Sequence, residues 1–191
     1  MKTTTVNAGT KPRARKRKAD APGVEIRPMR LEDLPEVYAL GQRLFTAEKL
    51  PTLYRSWDED EVMKLFSAEQ ETCLVAIAQG RVVGFALGSL MQKRGSAWRY
   101  GWLEWLGVDP AWSRRGVASR LVRQLTSLFI ERDARIMLVD TDEANEAALA
   151  FFRKLGFGQE LRHIYLSQNL DSHPEAIERR ERERDAADEE E

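Results

Sequence analysis

The stretch "DPAWSRRGVASRLV", residues 109–122, joins a predicted strand to a predicted helix. The segment before it, residues 102–108, is apolar and strand-prone, with Glu104 as its only charged side chain. The segment after it carries apolar side chains at helical intervals and predicts an amphipathic helix from Val117 to about Arg132. A glycine turn at such a junction exposes unpaired backbone N–H groups at the positive end of a helix dipole, which suits a phosphate group.

The bulk composition predicts one globular domain. The 191 residues are 42% hydrophobic and carry a formal net charge of −1, which suits a single domain with a full core. The one cysteine, Cys73, can form no internal disulfide and is expected to pack as a small hydrophobe. No signal-peptide pattern or long apolar run is present, which favours a cytoplasmic protein without membrane contact. Cys73, His163 and His173 have no zinc-like spacing, so we expect no metal.

Both ends of the sequence are highly charged. Residues 1–23 are predicted to be a disordered basic arm, because "KPRARKRKADAPG" has no apolar periodicity to bury. Residues 171–191 predict a charged helix and tail, with Glu178 and Arg182 four residues apart before an acidic run. Clustered lysine and arginine attract polyanions, so the arm is either a contact for a polyanion such as RNA or a solubilising extension.

Residues 24–170 contain the predicted domain. Their patterns predict the order strand, two helices, three strands, helix, strand, helix and strand. We expect a hairpin turn at Gln79 and Gly80, and a helix end at Gly156. Gly84 and Gly88 lie inside a predicted strand and indicate a bulge or a close approach of two backbones. The last strand is predicted within "ELRHIYLSQNL", residues 160–170.

Three stretches in this order resemble the GNAT superfamily of acyl-CoA-dependent N-acetyltransferases. "IRPMRLEDLPEVYAL" resembles the family's first strand and helix, "LGVDPAWSRRGVASRLV" its pyrophosphate loop, and "NEAALAFFRKLGF" its last helix. The resemblance spans residues 24–170. It implies an α/β fold of the α+β kind, with a mixed, mostly antiparallel central sheet flanked by helices.

The resemblance also implies the reaction. Acetyl-CoA is the expected cosubstrate, and its acetyl group passes to a primary amine by direct attack in a ternary complex. The amine is left open among a protein lysine, a protein N-terminus and a small molecule. A homodimer is equally left open.

The strand–turn–helix junction is where the resemblance places acetyl-CoA. The family's loop begins with Arg or Gln, and this chain has Ser113 there. Contacts in such a loop come mainly from backbone N–H groups, so the departure leaves the chemistry of the loop in place. The alternative is an ordinary turn with solvated arginines. The expected cofactor-binding residues are Leu106, Gly107, Val108, Ser113, Arg114, Arg115, Gly116, Val117, Ala118, Ser119, Asn145 and Phe152.

Two acids are candidates for the general base that takes a proton from the amine. Glu104 lies in the middle of an apolar predicted strand, where an unpaired carboxylate is costly to bury and is therefore poised to hold a proton. A paired or rim-exposed acid without a catalytic part is the alternative. Asp140 ends the next predicted strand, where some protein N-terminal acetyltransferases of the resembling family carry a catalytic glutamate.

The sequence of the last predicted helix differs from the pattern of the family that the chain resembles. Many members carry there a tyrosine that protonates the leaving thiolate, whereas this chain has Phe152. Tyr165 is the candidate hydroxyl that replaces it, and solvent is the other candidate donor. The loss also supports an alternative function, namely a catalytically weak acyl-CoA-binding sensor or partner-docking module.

The acceptor groove is expected between the first two helices and the loop near residue 98. Tyr54, Trp57, Trp98 and Tyr100 offer aromatic rings that could hold an alkyl-ammonium group by cation–π contact. Asp58 and its acidic neighbours could attract a cationic amine. The alternative is that these residues belong to the core and to a helix cap.

Overall fold

The computed structural model describes residues 23–46, 48, 56–92, 94–95, 98–164 and 166–188. The chain divides into two compact units after Leu155. The first unit contains the strands and the first four helices, and the second contains an irregular segment followed by one helix. None of the described helices is long and apolar enough to span a bilayer.

Five strands of the first unit form one sheet in sequential order. They are β1 (Val24–Pro28), β2 (Cys73–Ala78), β3 (Arg81–Gln92), β4 (Arg99–Val108) and β5 (Ala134–Val139). Neighbouring strands are antiparallel, except that β4 and β5 are parallel. The predicted mixed, mostly antiparallel sheet is therefore confirmed.

Helices flank this sheet, as predicted. In the first unit they are α1 (Leu34–Leu44), α2 (Glu59–Glu69), α3 (Val117–Glu131) and α4 (Glu146–Leu155). The second unit contains α5 (Pro174–Asp188). Helix α3 connects the parallel strands β4 and β5, because a parallel pair requires a crossover connection.

One face of the sheet packs against α1 and α2. The buried cluster on this face consists of Met29, Val37, Leu40, Val62, Phe66, Cys73, Val75, Val82, Phe85, Leu87 and Trp105. Cys73 is fully buried in it, as expected of a small hydrophobe, and burial raises the pKa of its thiol to about 12. The thiol is therefore protonated and unsuited to act as a nucleophile.

The opposite face of the sheet packs against α3. A Cβ atom on Gly88 would lie 2.8 Å from Phe129, and one on Gly84 would lie 3.3 Å from Val117. The close approach predicted at these two glycines is therefore confirmed. Their absent side chains let α3 lie directly on β3, which positions the N-terminus of the helix relative to the sheet.

Two predicted chain reversals are confirmed. Gln79 and Gly80 have φ values of 52° and 74°, the left-handed conformation that a two-residue hairpin turn between β2 and β3 requires. Gly156 follows the last residue of α4 with φ of 101°, as expected of a glycine that ends a helix.

The predicted last strand within residues 160–170 is wrong for the described part of this segment. Residues 156–164 and 166–169 form neither strand nor helix. Leu161, Ile164 and Leu166 are 82%, 85% and 92% exposed. Alternating apolar residues favour a strand, but a strand forms only where a neighbour supplies hydrogen bonds and a surface to cover. The described sheet therefore has five strands instead of the expected six.

The charged helix predicted near the C-terminus is confirmed as α5. The ion pair with a four-residue spacing is between Arg179 and Glu183, at 3.3 Å. At the predicted pair, the guanidinium of Arg182 donates instead to the backbone carbonyl of Glu178. Exposed pairs of this kind contribute little to stability.

Candidate active site

Strand β4 has one edge that is only half paired. Its parallel pairing with β5 begins at Arg99 and Ala134 and ends at Leu103 and Val139. Residues 104–108 continue as strand and border no other described strand on that side. We call the backbone edge of residues 104–108 the open edge. An unpaired strand edge presents N–H and C=O groups with which an extended ligand that contains amides can pair.

A β-bulge lies where the open edge begins. Leu87 and Gly88 of β3 pair with Trp105 and Leu103 of β4, so Glu104 is an extra residue between two consecutive pairs. A bulge places an extra side chain on one face of the sheet and re-aims the residues that follow.

The packing on either side of the bulge confirms this change of direction. A Cβ atom on Gly101 would lie 2.3 Å from Phe129 of α3, whereas one on Gly107 would lie 2.6 Å from Phe85 on the opposite face. Residues six apart in a regular strand point to the same face. The extra residue between them reverses the alternation.

The bulge gives Glu104 a polar partner. The hydroxyl of Ser89 on β3 donates a hydrogen bond of 2.7 Å to Oε1 of Glu104. The side chain of Glu104 is half-buried. The expectation of an unpaired carboxylate among apolar neighbours is therefore wrong, because the bulge displaces Glu104 from the regular alternation and brings it to a hydroxyl.

Sequence reasoning missed Ser89. It lies in the apolar run "VVGFALGSL", in which a single small polar residue carries little information. Its contact with Glu104 depends on the register of β3 with β4 and on the bulge. The sequence signal that could have revealed Ser89 is the alternation of side chains along β3, which places it on the same face as Phe85 and Leu87.

The second candidate acid lies at the same end of the sheet. Asp140 directly follows Val139, and Glu104 directly follows Leu103. Leu103 and Val139 form the last pair between β4 and β5. Parallel strands end at the same edge, so the structure places both acids where β4 and β5 stop pairing. Oδ1 of Asp140 accepts a hydrogen bond of 3.0 Å from the indole of Trp102.

The predicted phosphate loop is an uncapped helix N-terminus. Gly116 is the N-cap of α3 in the left-handed conformation, with φ of 82°, and Arg114 is also left-handed, with φ of 59°. The backbone N–H of Arg120 donates to the carbonyl of Gly116 at 3.0 Å as the first bond of the helix. Helix geometry leaves the preceding N–H groups, from Val117 to Ser119, without acceptors inside the helix.

Space for an anion lies beside these donors. A Cβ atom on Gly116 would find no described heavy atom of the protein within 4 Å outside its immediate neighbours. Left-handed residues next to a helix N-terminus orient successive N–H groups toward a common point, and the helix dipole favours negative charge there. We call residues 113–118 the Gly116 turn.

The segment that leads into the Gly116 turn contacts α1. The carboxylate of Asp109 accepts from the backbone N–H of Ala111 at 2.9 Å and lies 3.6 Å from the guanidinium of Arg43 on α1. The guanidinium of Arg115 lies over the ring of Trp112, 4.9 Å from its centroid. Arg114 and Arg115 are exposed, so the turn combines backbone donors with positive charge.

The residues present fit coenzyme A. The pyrophosphate needs convergent N–H donors and nearby cations, which the Gly116 turn provides. The pantetheine arm is an extended chain with amide groups, which suits the open edge. Since only residues 109–112 separate β4 from the turn, the two features adjoin.

The expected cofactor-binding residues around the turn differ in exposure. Gly107 and Val117 are buried; Leu106, Val108, Ala118 and Ser119 are half-buried; Ser113, Arg114, Arg115 and Gly116 are exposed. The structure therefore brings these residues together along the open edge and the start of α3, with polar and charged groups outermost.

Two further expected residues lie on α4. Asn145 precedes the helix, and its amide oxygen accepts from the backbone N–H of Ala148 at 3.1 Å, as an N-cap does. Phe152 is buried, with its ring 5.0 Å from that of Phe151 in an edge-on arrangement. It offers no hydroxyl, and Tyr165, its predicted replacement, lies outside the described residues.

The aromatic residues expected in the acceptor groove take different places. Trp57 belongs to the core, where its ring stacks on Phe85 at 5.2 Å and its indole N–H donates to the carbonyl of Tyr38. Asp58 is the N-cap of α2. For these two residues the core and cap interpretations are confirmed.

The remaining aromatic candidates are less enclosed. Trp98 is 45% exposed, with the guanidinium of Arg135 5.9 Å from its ring centroid. Tyr100 is half-buried, and Tyr54 lies outside the described residues. Among the residues that the structure describes, no group of three or more His, Cys, Asp and Glu side chains could hold a metal ion.

Solved structures share this fold. The aminoglycoside N-acetyltransferase AAC(6')-Iy, solved with the bisubstrate analogue CoA-S-monomethyl-acetylneamine, is 22% identical with a TM-score of 0.61, over 76% of this chain and 98% of that one. An acetyltransferase of Trypanosoma brucei is 22% identical with a TM-score of 0.59, over 76% and 99%. Ard1 from Thermoplasma volcanium is 22% identical with a TM-score of 0.58, over 81% and 91%.

A family model described as "Acetyltransferase (GNAT) family" matches residues 34–157. The matched region runs from the start of α1 to just past α4 and includes the open edge, both candidate acids and the Gly116 turn. The AAC(6')-Iy structures with coenzyme A or its bisubstrate analogue share the fold that positions these features. The chain therefore belongs to the GNAT acetyltransferase family.

Proposed function

We propose that the protein transfers the acetyl group of acetyl-CoA to a primary amine, with Glu104 as the general base. The observation that carries this proposal is the bulge at Glu104. It presents a half-buried carboxylate where the open edge begins, on the strand that leads into the Gly116 turn. A ligand held by the turn and extended along the open edge would bring its far end to this carboxylate.

The roles of the residues follow from their chemistry. The N–H groups of the Gly116 turn, with Arg114 and Arg115, hold the pyrophosphate. Leu106, Gly107 and Val108 supply the open edge for the pantetheine arm, and Ser119, Asn145 and Phe152 complete the expected coenzyme contacts. Acetyl-CoA supplies a thioester, whose carbonyl carbon is open to attack by an amine.

The reaction needs one proton acceptor and one proton donor. The amine nitrogen forms a bond to the thioester carbon while the carbon–sulfur bond breaks, and the carboxylate of Glu104 takes the proton that the nitrogen loses. The thiolate is a fair leaving group near neutral pH, and solvent protonates it, since Phe152 has no hydroxyl. Tyr165 is still a predicted alternative proton donor to the thiolate, and Asp140 is still the second candidate for the general base.

The proposed acceptor is a cationic small-molecule amine. The two carboxylates of Glu104 and Asp140 at one end of the sheet favour the approach of positive charge. The relative AAC(6')-Iy was solved with the bisubstrate analogue CoA-S-monomethyl-acetylneamine, and an aminoglycoside acetyltransferase from a soil metagenomic sample, 20% identical with a TM-score of 0.60, was solved with sisomicin. A protein lysine or N-terminus is the competing acceptor.

The cellular location of the protein and its further partners are also proposals. The free, buried Cys73 fits a reducing compartment, so the cytoplasm is the proposed location. A polyanion contact through residues 1–23 and a homodimer stay predictions; residues 1–22 lie outside the described part of the chain.

The test is turnover by Glu104→Gln. Thiol release from acetyl-CoA is measured with an aminoglycoside, spermidine, a lysine peptide and a peptide with a free N-terminus. The variant should lose about a hundredfold or more in turnover with the best acceptor, while acetyl-CoA affinity by calorimetry is unchanged. Glu131→Gln, at the end of α3, is the matched control. If Asp140→Asn alone loses activity, the base is Asp140.

A second function is favoured by the buried, hydroxyl-free Phe152: a protein that binds acyl-CoA as a sensor, or docks a partner, with little turnover. The same assay separates the two functions. Saturable acetyl-CoA binding without thiol release for any acceptor would support the sensor. Loss of binding on charge reversal of Arg114 and Arg115 is expected under both functions, and failure of the unaltered protein to bind would contradict both.

A further inference from the structure

Ser89 is a polar residue at the candidate site. The family resemblance implied no role for it. Its hydroxyl lies 2.7 Å from Oε1 of Glu104, although the two residues are 15 apart in the sequence. The contact joins β3 to β4 at the bulge, since Ser89 pairs with Trp102, just beyond the pair of Gly88 and Leu103. Hydroxyl-to-carboxylate bonds of about this length are among the stronger hydrogen bonds in proteins.

The backbone beside Ser89 is held firmly on both sides. The hydroxyl of Thr72, a fully buried residue, lies 2.6 Å from the carbonyl oxygen of Gly88 and donates to it. Gly88 also lies against α3, where a Cβ atom would come 2.8 Å from Phe129. The Ser89 hydroxyl is therefore attached to a backbone that cannot easily shift. A group that orients another side chain needs such a fixed position.

We propose that Ser89 is a positioning residue for Glu104. This inference rests on the proposed function, in which Glu104 is the general base. By donating to Oε1, Ser89 fixes the rotation of the carboxyl group and so the direction in which it receives the proton of the amine.

The flexibility of the glutamate side chain gives this role a physical basis. A glutamate side chain has several rotatable bonds, and Glu104 starts from a bulge, where regular strand geometry does not fix its direction. Proton transfer requires hydrogen-bond reach and alignment between the base and the amine. One strong bond to a fixed hydroxyl removes most of that freedom.

The test compares Ser89→Ala with Ser89→Thr. The alanine variant should lose roughly tenfold in kcat, with the KM for acetyl-CoA unchanged, since a hydrogen bond to a charged group is lost without change at the Gly116 turn. Threonine keeps the hydroxyl and should restore kcat. Ser127→Ala removes a hydroxyl that donates to the carbonyl of Arg123 within α3 and is the matched control.

The double variant Ser89→Ala with Glu104→Gln completes the test. If Ser89 acts through Glu104, the alanine substitution should cost little once the carboxylate is gone. An equal loss in both backgrounds, or no change of kcat in Ser89→Ala, would overturn the inference even though Glu104→Gln is inactive. Full activity of Glu104→Gln would instead overturn the assignment of the base, so the two failures are distinguishable.

Discussion

The two edges of β4 differ in how completely they are paired. Toward β3, pairing runs from Arg99 to Val108, interrupted only by the bulge at Glu104. Toward β5, it stops at Leu103. The half of β4 that is paired on both sides holds the sheet together, and the half that is paired on one side presents the candidate site. A strand can therefore be structural along one half and functional along the other.

Truncating one leucine on each half of β4 tests this difference most directly. Leu103 is 1% exposed, and Leu103→Ala should destabilise the protein by about 2–5 kcal/mol, because a cavity remains in the core. Leu106 is half-buried beside the open edge, and Leu106→Ala should cost about 1 kcal/mol or less. Urea unfolding followed by tryptophan fluorescence measures both.

The affinity for acetyl-CoA should respond in the opposite way to the two leucine substitutions. Calorimetry should show weaker binding for Leu106→Ala and, at a temperature where both variants are folded, no change for Leu103→Ala. An equal loss of stability in the two variants would mean that the open edge is as structural as the paired half.

A second prediction concerns β1, the opposite edge of the sheet. Asp33 is 6% exposed and accepts two hydrogen bonds from the guanidinium of Arg27 on β1, at 2.6 Å and 2.8 Å, and one from the backbone N–H of Arg30. The bond to Arg27 contributes most to lowering the pKa of Asp33 below its ordinary value of 3.8. Stabilisation by this pair should be complete above that value and lost as the pH falls through the lowered pKa.

Asp33→Asn should therefore cost about 1–3 kcal/mol at neutral pH, since Arg27 loses a charged partner. The difference in unfolding free energy from the unaltered protein should shrink below about pH 4. Acetyl-CoA affinity should not change, because β1 and β5 lie at opposite edges of the sheet. Reduced affinity would show that the far edge also shapes the site.

The smallest effect is expected in the second unit. Ile164 and Leu166 are 85% and 92% exposed, so replacing both with serine removes almost no buried apolar surface. The free energy of unfolding should stay within about 0.5 kcal/mol of the unaltered value by thermal and urea denaturation. A marked loss would mean that these side chains are covered in solution, as the predicted strand would have required.

Local patterns predicted the elements whose stability depends on their own residues. The turn at Gln79 and Gly80 and the helix end at Gly156 need backbone conformations that a short sequence reveals. Helix α3 was predicted from apolar spacing. Its start at Gly116 was also predicted, and with it the candidate phosphate site.

The predicted last strand failed because a strand is not a local structure. Leu161, Ile164 and Leu166 alternate as in a half-buried strand, yet alternation says nothing about whether a neighbouring strand is within reach. The same limit applies to Glu104. Its charge within an apolar strand singled it out, but the pattern suggested an isolated carboxylate and gave no sign of the bulge.

Short-range patterns in the sequence were sufficient for the family resemblance, the strands and helices of each layer and the glycine turn before α3, because each depends on spacings of a few residues. The point where β5 stops beside β4, the extra residue of β4 and the contact of Ser89 with Glu104 follow only from the tertiary structure. These features depend on the register between distant segments. Register is set by how side chains from several elements fill one core, which no single stretch of sequence contains.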